Sequence, residues 1–301
     1  MKEWFEEQRK KYKEIFSDYG KLIFIVILFF ICAISVALIF KIISPQKLRV
    51  SFLDVGQGDA ILIQTPSGKS MLVDGGRSNV ILERLTNEMS YFNRDIDVMV
   101  ATHPDADHVT GLIPVLEKYN VKKIVTSPAE GDTKIFSNLT KNIENENADI
   151  YIAESGDEIN FHDGVIAKIL YPSKNYIANK KDTNDASVSM QIIFGNETFL
   201  LTGDLSSKRE GELIVNGLNK NITVYKAGHH GSKTSSGEQL LSYIRPEYAV
   251  ISAGENNSYG HPNIEVVNRL QKYAKEILST IDRGTISFLT DGRTIKTETR
   301  R

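Results

Sequence analysis

The chain of 301 residues contains one cysteine, Cys32, so no disulfide can form within it and a disulfide-stapled small fold is excluded. A single thiol carries no information about redox compartment. Net charge is also scarce, at a formal −2. That near-balance hides an asymmetry: residues 1–47 carry eight basic and five acidic side chains, or +3, which leaves −5 for the remainder. The remainder is therefore not a general polyanion-binding surface, and a nucleic-acid contact would need local basic residues and bound cations. No internal repeat occurs at solenoid periods. Long apolar runs are rare, with one exception: Leu22 through Phe40 holds nineteen residues without a charge, bracketed by Lys21 and Lys41.

As a helix this run is about 28 Å long, against a bilayer hydrocarbon core of about 30 Å. It is longer than the apolar part of most cleaved signal peptides, and no small-x-small cleavage site is obvious at its end. A single transmembrane helix is expected over residues 22–43. Six Lys or Arg lie between Met1 and Lys21, whereas the other flank offers Lys41, Lys47 and Arg49. That excess places the N-terminus in the cytoplasm and residues 48–301 outside the cell membrane, in a single-pass arrangement. Residues 2–19, with Trp4, Phe5, Tyr12 and Phe16, read either as an amphipathic helix on the membrane surface or as a solvated juxtamembrane helix. Ser44-Pro-Gln46 reads as a linker, with the domain boundary near Lys47.

Beyond it, strand-like runs at 48–55, 60–64 and 70–76 are separated by the turns Gly56-Gln-Gly-Asp59 and Pro66-Ser-Gly68. Residues 79–89 show helical spacing of Ile81, Leu82 and Leu85. A buried strand over 96–102 leads into Ala101-Thr-His-Pro-Asp-Ala-Asp-His108, and a helix over 111–118 follows. Further strands are expected at 121–127, 149–153, 165–171, 188–194, 198–204, 222–226 and 248–253. Helices are expected at 133–145 (or a polar loop), 206–216 and 264–274, and a hairpin turning at Asp291-Gly292 closes the chain. This rhythm predicts two sheets packed face to face with helices outside, the polar clusters falling at strand ends where loops on one rim build a site.

Five of the six histidines and the conspicuous acids sit at those ends. His103, Asp105, Asp107 and His108 offer four donors within six residues, on a turn where they can converge on one or two cations. A lone His-x-Asp would read as a polar turn with an N-cap aspartate; four donors do not. Asp204, His229, His230 and His261 follow at later strand ends. Any one alone has a plain structural reading, such as a helix cap for Asp204. His162, in Asn160-Phe-His-Asp-Gly164, reads as an ordinary hairpin turn.

With these residues in place, the chain resembles the metallo-β-lactamase superfamily and, more specifically, the metal-dependent domain of the ComEC-like competence proteins. The matching segments are Asp54-Val-Gly-Gln-Gly-Asp-Ala60, Leu72-Val-Asp-Gly-Gly76, His103-Pro-Asp-Ala-Asp-His108, Leu201-Thr-Gly-Asp204, His229-His-Gly-Ser232 and Tyr259-Gly-His-Pro262. The resemblance implies an α/β fold, a four-layer αββα sandwich over residues 48–301, with a dinuclear metal site. It implies metal ligands at His103, Asp105, Asp107 and His108, a bridging Asp204 and a last ligand at His261. His229 or His230 supplies a further ligand or touches the scissile phosphate, and Asp59 and Asp74 support the site. Asp107 orients the attacking water, while His229, His230 and Lys233 stabilise phosphate oxygens or protonate the leaving group. Asp105 stands where many superfamily members have a second histidine, and the isolated histidine before the bridging aspartate has no counterpart, Asn184-Asp185 occupying that region. The oxygen-rich set points to two divalent ions, Mn²⁺ first and Zn²⁺ second.

The implied function is a membrane-anchored nuclease or phosphodiesterase that hydrolyses DNA with a metal-activated water. ComEC proteins also have a multi-span channel; with one apolar segment here, DNA uptake would need a separate channel protein as partner. The alternatives are a hydrolase of a small phosphodiester or other non-DNA substrate, which the −5 of residues 48–301 favours, and a non-catalytic surface-binding module.

Overall fold

The computed structural model describes residues 1–43, 47–89, 93–174, 176–178 and 182–301; the linker Ser44-Pro-Gln46 lies outside them. The chain divides into two compact units, Met1–Gln46 and Lys47–Arg301. The first is one helix, α1 (Lys2–Ile43). It runs without interruption through both the polar segment and the apolar run, because Gly20 is the only poor helix former and there is no proline. Its window Tyr19–Val36 has a mean hydropathy of 2.5 and no buried residue, long and apolar enough to cross a membrane.

The second unit opens with strands β1 (Leu48–Phe52), β2 (Ile61–Gln64) and β3 (Ser70–Val73), then helix α2 (Val80–Glu88). Next come β4 (Asp95–Ile96), β5 (Val98–Ala101), α3 (Ala106–Val109), α4 (Leu112–Lys118), β6 (Asn120–Val121), β7 (Lys123–Thr126), α5 (Lys134–Asn145) and β8 (Asp149–Ile152). The second half comprises β9 (Glu158–Asn160), β10 (Val165–Tyr171), β11 (Ser189–Phe194), β12 (Glu197–Leu201), α6 (Glu210–Val215) and β13 (Val224–Lys226). It continues with α7 (Glu238–Ile244), β14 (Tyr248–Ile251), α8 (Ile264–Tyr273), β15 (Glu276–Ser279) and α9 (Thr280–Arg283). The hairpin β16 (Thr285–Thr290) and β17 (Ile295–Arg300) returns to the first sheet.

That sheet has the order β17-β16-β1-β2-β3-β5-β7-β8, and the second β15-β14-β13-β12-β11-β10-β9; β4 and β6 form a two-stranded ladder. Alternation along each strand sorts its side chains between two faces. Val50, Phe52, Ile63, Val98 and Val100 meet Ile169, Met190, Ile192, Phe199 and Val224 between the sheets. Leu62, Leu72, Met99 and Ile124 lie under Ile81 and Leu85 of α2, Leu112 and Val115 of α4 and Leu139 of α5. On the far side Leu200, Tyr225 and Ala249 lie under Leu213 of α6, Leu240 and Leu241 of α7 and Leu270 of α8. Four layers, αββα, result. Central strands buried on both faces explain their near-continuous apolar runs.

Strands β9 and β15 and helix α7 are short, carry acids at their starts and show no period in the sequence. The helix expected from Ser206 begins at Glu210, after turns over 207–209. Strands β3 and β5 of one sheet and β12, β13 and β14 of the other are followed by the polar clusters, which gathers those loops on one rim.

Candidate metal centre

The turn after β5 is held from below by close backbone contacts. A Cβ on Gly58 would stand 1.9 Å from the Asp107 carbonyl oxygen, and one on Gly111 would stand 1.8 Å from that of Gly75. Only glycine lets these loops press together, which brings Asp59 and Asp74 beneath Asp107 and His108. Asp105 occupies the position before α3, and Asp107 and His108 lie in its single turn.

Each central imidazole has its Nδ1 committed behind it. His108 Nδ1 donates to Asp74 Oδ2 at 2.7 Å. Asp74 also accepts from the Thr102 amide (2.9 Å) and the Thr102 hydroxyl (2.7 Å). With its proton given to Asp74, the Thr102 oxygen accepts from His103 Nδ1 at 3.0 Å. His230 Nδ1 donates to the Ser252 carbonyl at 2.9 Å. The Nε2 atoms of all three rings therefore face forward, and they face one atom. Asp204 Oδ2 lies 3.9 Å from His103 Nε2, 3.4 Å from His108 Nε2 and 3.5 Å from His230 Nε2. His230 Nε2 is also 3.5 Å from Asp107 Oδ2 and 3.2 Å from His108 Nε2. Carboxylate and carbonyl partners behind ligating imidazoles are how metal sites fix ring orientation.

The donor set fits divalent cations. Among the described residues, ligand-type atoms converge within 4.8 Å in the sets His103–His108–Asp204, Asp107–His108–His230, Asp59–Asp204–His230 and Asp59–Asp74–His108. Buried His103 Nε2, Asp59 Oδ1 and Asp204 Oδ1 have no hydrogen-bond partner, although buried polar atoms are nearly always paired.

Protonation follows the same geometry. Burial would depress the His108 ring, but Asp204 and Asp74 outweigh it and raise its pKa well above the ordinary value. Burial is likewise overcome at His230, which Asp204 and Asp59 raise to about 9. His103 is lowered to about 3 by burial and by the neighbouring His108 charge. Burial would raise Asp204 and Asp107, yet the imidazoles of His108 and His230 hold both below the usual carboxylate range. A divalent ion would take the place of the protons on His108 and His230, since ligand imidazoles must be neutral.

Asp105 Oδ2 stands 3.9 Å from His103 Nε2 while its Oδ1 accepts from Thr183 Oγ1 at 2.6 Å. His229 Nε2 lies 3.6 Å from Asp204 Oδ2. His261 stays on the rim, its ring centroid 5.4 Å from that of His229 and 6.5 Å from that of His230. It belongs to none of the convergent sets, whereas His230 joins Asp107 and His108 in one of them. In the turn Gly228–Gly231, His229 (φ 48°) and His230 (φ 55°) are both left-handed, and their ring planes lie at 83° to one another. Left-handed non-glycine residues are uncommon and gather at functional sites. Lys233 Nζ pairs with Glu265 Oε1 at 3.0 Å on an exposed surface. Asn184, in the region of the missing histidine, places its amide 3.5 Å from His229 Nδ1.

Lys226 was overlooked. It is fully buried at the end of β13, its Nζ paired with Asp59 Oδ2 and 3.9 Å from Asp204 Oδ1. Asp59 Oδ1 in turn lies 3.4 Å from His230 Nδ1. Burial would raise the Asp59 carboxyl, and Lys226 and His230 instead bring it to about 2. A lysine closing an apolar strand just before Gly228-His-His was the available signal, because lysine is almost never fully buried unless paired.

Comparison with known proteins agrees with this arrangement. A family model described as the metallo-beta-lactamase superfamily matches residues 53–135 and 180–255, more than half of the chain. Recombination protein 2 of Haemophilus influenzae is 33% identical over 257 residues, covering 83% of this chain and 30% of that protein. ComE operon protein 3 of Bacillus subtilis is 28% identical over 257 residues (80% and 33%), and competence protein ComA of Neisseria gonorrhoeae 31% over 248 (82% and 33%). The chain thus spans about a third of the length of these relatives. Among solved structures, the metallo-beta-lactamase fold protein YhfI of Bacillus subtilis superposes with a TM-score of 0.52 at 10% identity, covering 79% of this chain and 98% of that one. The diiron beta-hydroxylase CmlA of Streptomyces venezuelae does so with 0.50 at 14%, covering 85% and 55%. At such identities these two speak to the fold alone. Four layers, a rim of histidines and aspartates facing one carboxylate oxygen, and a family match over most of those residues agree: the chain belongs to the metallo-beta-lactamase superfamily and is related to competence proteins.

Proposed function

We propose that residues 47–301 form a dinuclear metal-dependent phosphodiesterase acting on DNA, attached to a membrane by α1. The observation that carries this reading is the convergence of three Nε2 atoms on Asp204 Oδ2, with Asp107 beside them. Charge supports two ions. Asp59, Asp74, Asp105, Asp107 and Asp204 against Lys226 leave four negative charges, the complement of two divalent cations. His103, Asp105 and Asp204 would hold one, and Asp107, His108, His230 and Asp204 the other. The mixture of nitrogen and carboxylate oxygen suits Mn²⁺ first and Zn²⁺ second. When bound, such ions supply a deprotonated water near neutral pH and neutralise charge on the reacting phosphate.

The chain's own groups orient and exclude. Asp74 and Thr102 lock His103 and His108, and Lys226 with Asp59 locks His230. Asp107, partly exposed, faces both the imidazoles and the open rim and orients the attacking water. Burial lowers the pKa of His229 and of His261, which keeps both neutral at pH 7 and able to donate ring N–H bonds to non-bridging oxygens.

DNA as substrate is supported by the relatives, named as competence and recombination proteins. The exposed apolar window of α1 supports membrane attachment, with the positive flank at the cytoplasmic side and the hydrolase outside. Transport of DNA would fall to a separate channel protein. The −5 of the hydrolase unit favours a second reading, a small phosphodiester substrate. The test is cleavage of labelled single- and double-stranded DNA by the detergent-solubilised chain with Mn²⁺, Mg²⁺ or Zn²⁺. Asp204→Ala is expected to lower the rate by about 10²–10³-fold or more and to lose bound metal. A metal-loaded wild type that cuts neither DNA would sink the DNA reading and move the search to small phosphodiesters.

A further inference from the structure

Beside the metal centre lies a pocket of about 220 Å³, with Asp204 and His229 at its inner end. Ser206, Ser207 and Lys208 from the loop after β12 form one wall, and Thr234 from the loop after β13 forms the other. The walls are tied together, since the Ser207 amide donates to the Thr234 carbonyl at 2.7 Å. The lining is rich in donors. Ser206 Oγ is buried without a hydrogen-bond partner. Thr234 Oγ1 lies 3.2 Å from His229 Nδ1. Lys208 is exposed, and among the described residues it makes no ion pair. Asp182 is the one further carboxylate, exposed at the mouth where solvent screens it.

Size and chemistry narrow the ligand. The volume falls below the roughly 300–1,000 Å³ of pockets that enclose a drug-sized molecule. Among the described residues the ring that lines it is the His229 imidazole, with no phenyl, phenol or indole face for a nucleobase to stack on. Hydroxyls, a lysine and an imidazole suit a compact oxyanion, and the inner end opens on the atom that the metal ligands face.

We propose that this pocket binds a second phosphate of the substrate, the one adjoining the phosphate being cleaved. This rests on the phosphodiesterase reading and sharpens it: the substrate carries at least two phosphates in series, as a nucleic-acid strand does. A single phosphomonoester or a thioester would leave the pocket unused. Either an internal phosphate or the terminal phosphate of a strand offers the required chemistry.

The test is fluorescence anisotropy of a labelled phosphorothioate thymidine hexamer on the detergent-solubilised, Mn²⁺-loaded chain across a salt series. Lys208→Gln should weaken binding by about five- to tenfold and reduce the slope of log K against log salt by about 0.7, the share of one phosphate contact on a single strand. Ser206→Ala should weaken it by about two- to threefold, as expected for one lost hydrogen bond. Lys122→Gln, whose lysine is paired with Asp97 at 2.8 Å, should change neither quantity. A hexamer ending in a 5′-phosphate, beside one ending in a hydroxyl, separates the two sources. Loss of discrimination between them in Lys208→Gln assigns the pocket to a strand end, and an equal loss for both assigns it to an internal phosphate. No hexamer binding by the wild type, or a Lys208→Gln variant indistinguishable from Lys122→Gln, overturns the proposal. Hydrolysis of bis(p-nitrophenyl) phosphate, which has one phosphate, reports on the metal centre separately. A wild type that binds the hexamer through Lys208 and hydrolyses neither this compound nor an unmodified thymidine hexamer retires the phosphodiesterase reading and leaves a phosphate-binding pocket standing.

Discussion

The centre has a floor and a rim, and they are built differently. On the floor His103, His108, His230, Asp59, Asp74, Asp204 and Lys226 are each at most 3% exposed. Most of them are backed by a second partner: Thr102, Asp74, Ser252 or Lys226. On the rim Asp105 is 42% exposed, His229 24%, and His261 is half-buried with a ring contact to Tyr259. Floor residues cannot turn without leaving a buried charge unpaired. Rim residues can turn at little cost, which suits groups that meet a substrate. The difference teaches that stability and reactivity are divided between two shells of one cluster, so a substitution should disturb one far more than the other.

Lys226→Met should break the floor most severely. It strands Asp59 as a buried carboxylate, with an expected loss of about 3–5 kcal/mol in stability by calorimetry. The double change with Asp59→Asn should recover most of that loss, because the charge to be compensated is gone. If the double variant is no more stable than the single one, the Lys226–Asp59 pair is not what holds this side of the floor.

A second expectation concerns the support of the His229–His230 turn. Glu210 is buried and accepts from the Ser236 amide (2.6 Å) and the Gly237 amide (2.8 Å), while Ser236 Oγ accepts from the Gly228 amide at 3.0 Å. Burial raises its pKa from 4.5 to about 7 in spite of those bonds. The folded state therefore holds the proton more tightly than the unfolded one. The associated stability is fully present below pH 4.5 and is lost as pH rises through about 7, a change of about 3 kcal/mol. Urea unfolding between pH 4.5 and 8 should show the wild type losing more stability than Glu210→Gln by about this amount.

Rim changes should leave stability alone. His261→Ala is expected to lower the hydrolysis rate by about 10–100-fold while stability moves by about 0.5 kcal/mol or less. A loss of several kcal/mol instead would place His261 with the floor. Smallest of all, Lys233→Ala removes an exposed pair with Glu265 and should change stability by less than about 1 kcal/mol and the rate not at all.

Local order and spacing in the sequence determined much of this protein. Alternating and continuous apolar runs marked the strands from Leu48 to Val73 and from Val188 to Val250, and their order marked two sheets with outer helices. Four donors in six residues marked the centre at His103–His108, with Asp204 and the His229–His230 pair as companions, because ligands close in sequence on a turn must be close in space. Short elements such as β9, α7 and β15 escaped notice because they hold too few residues to show a period. Which histidine joins the cluster was not local information. His230 lies against Asp107 and Asp204 on a left-handed turn, and that backbone persists only while the surrounding loops hold it. Lys226 acquired its place in the same way. In the sequence it is the polar end of a strand, and only the closing of one sheet over the other, which removes water and brings Asp59 against it, makes its charge part of the site.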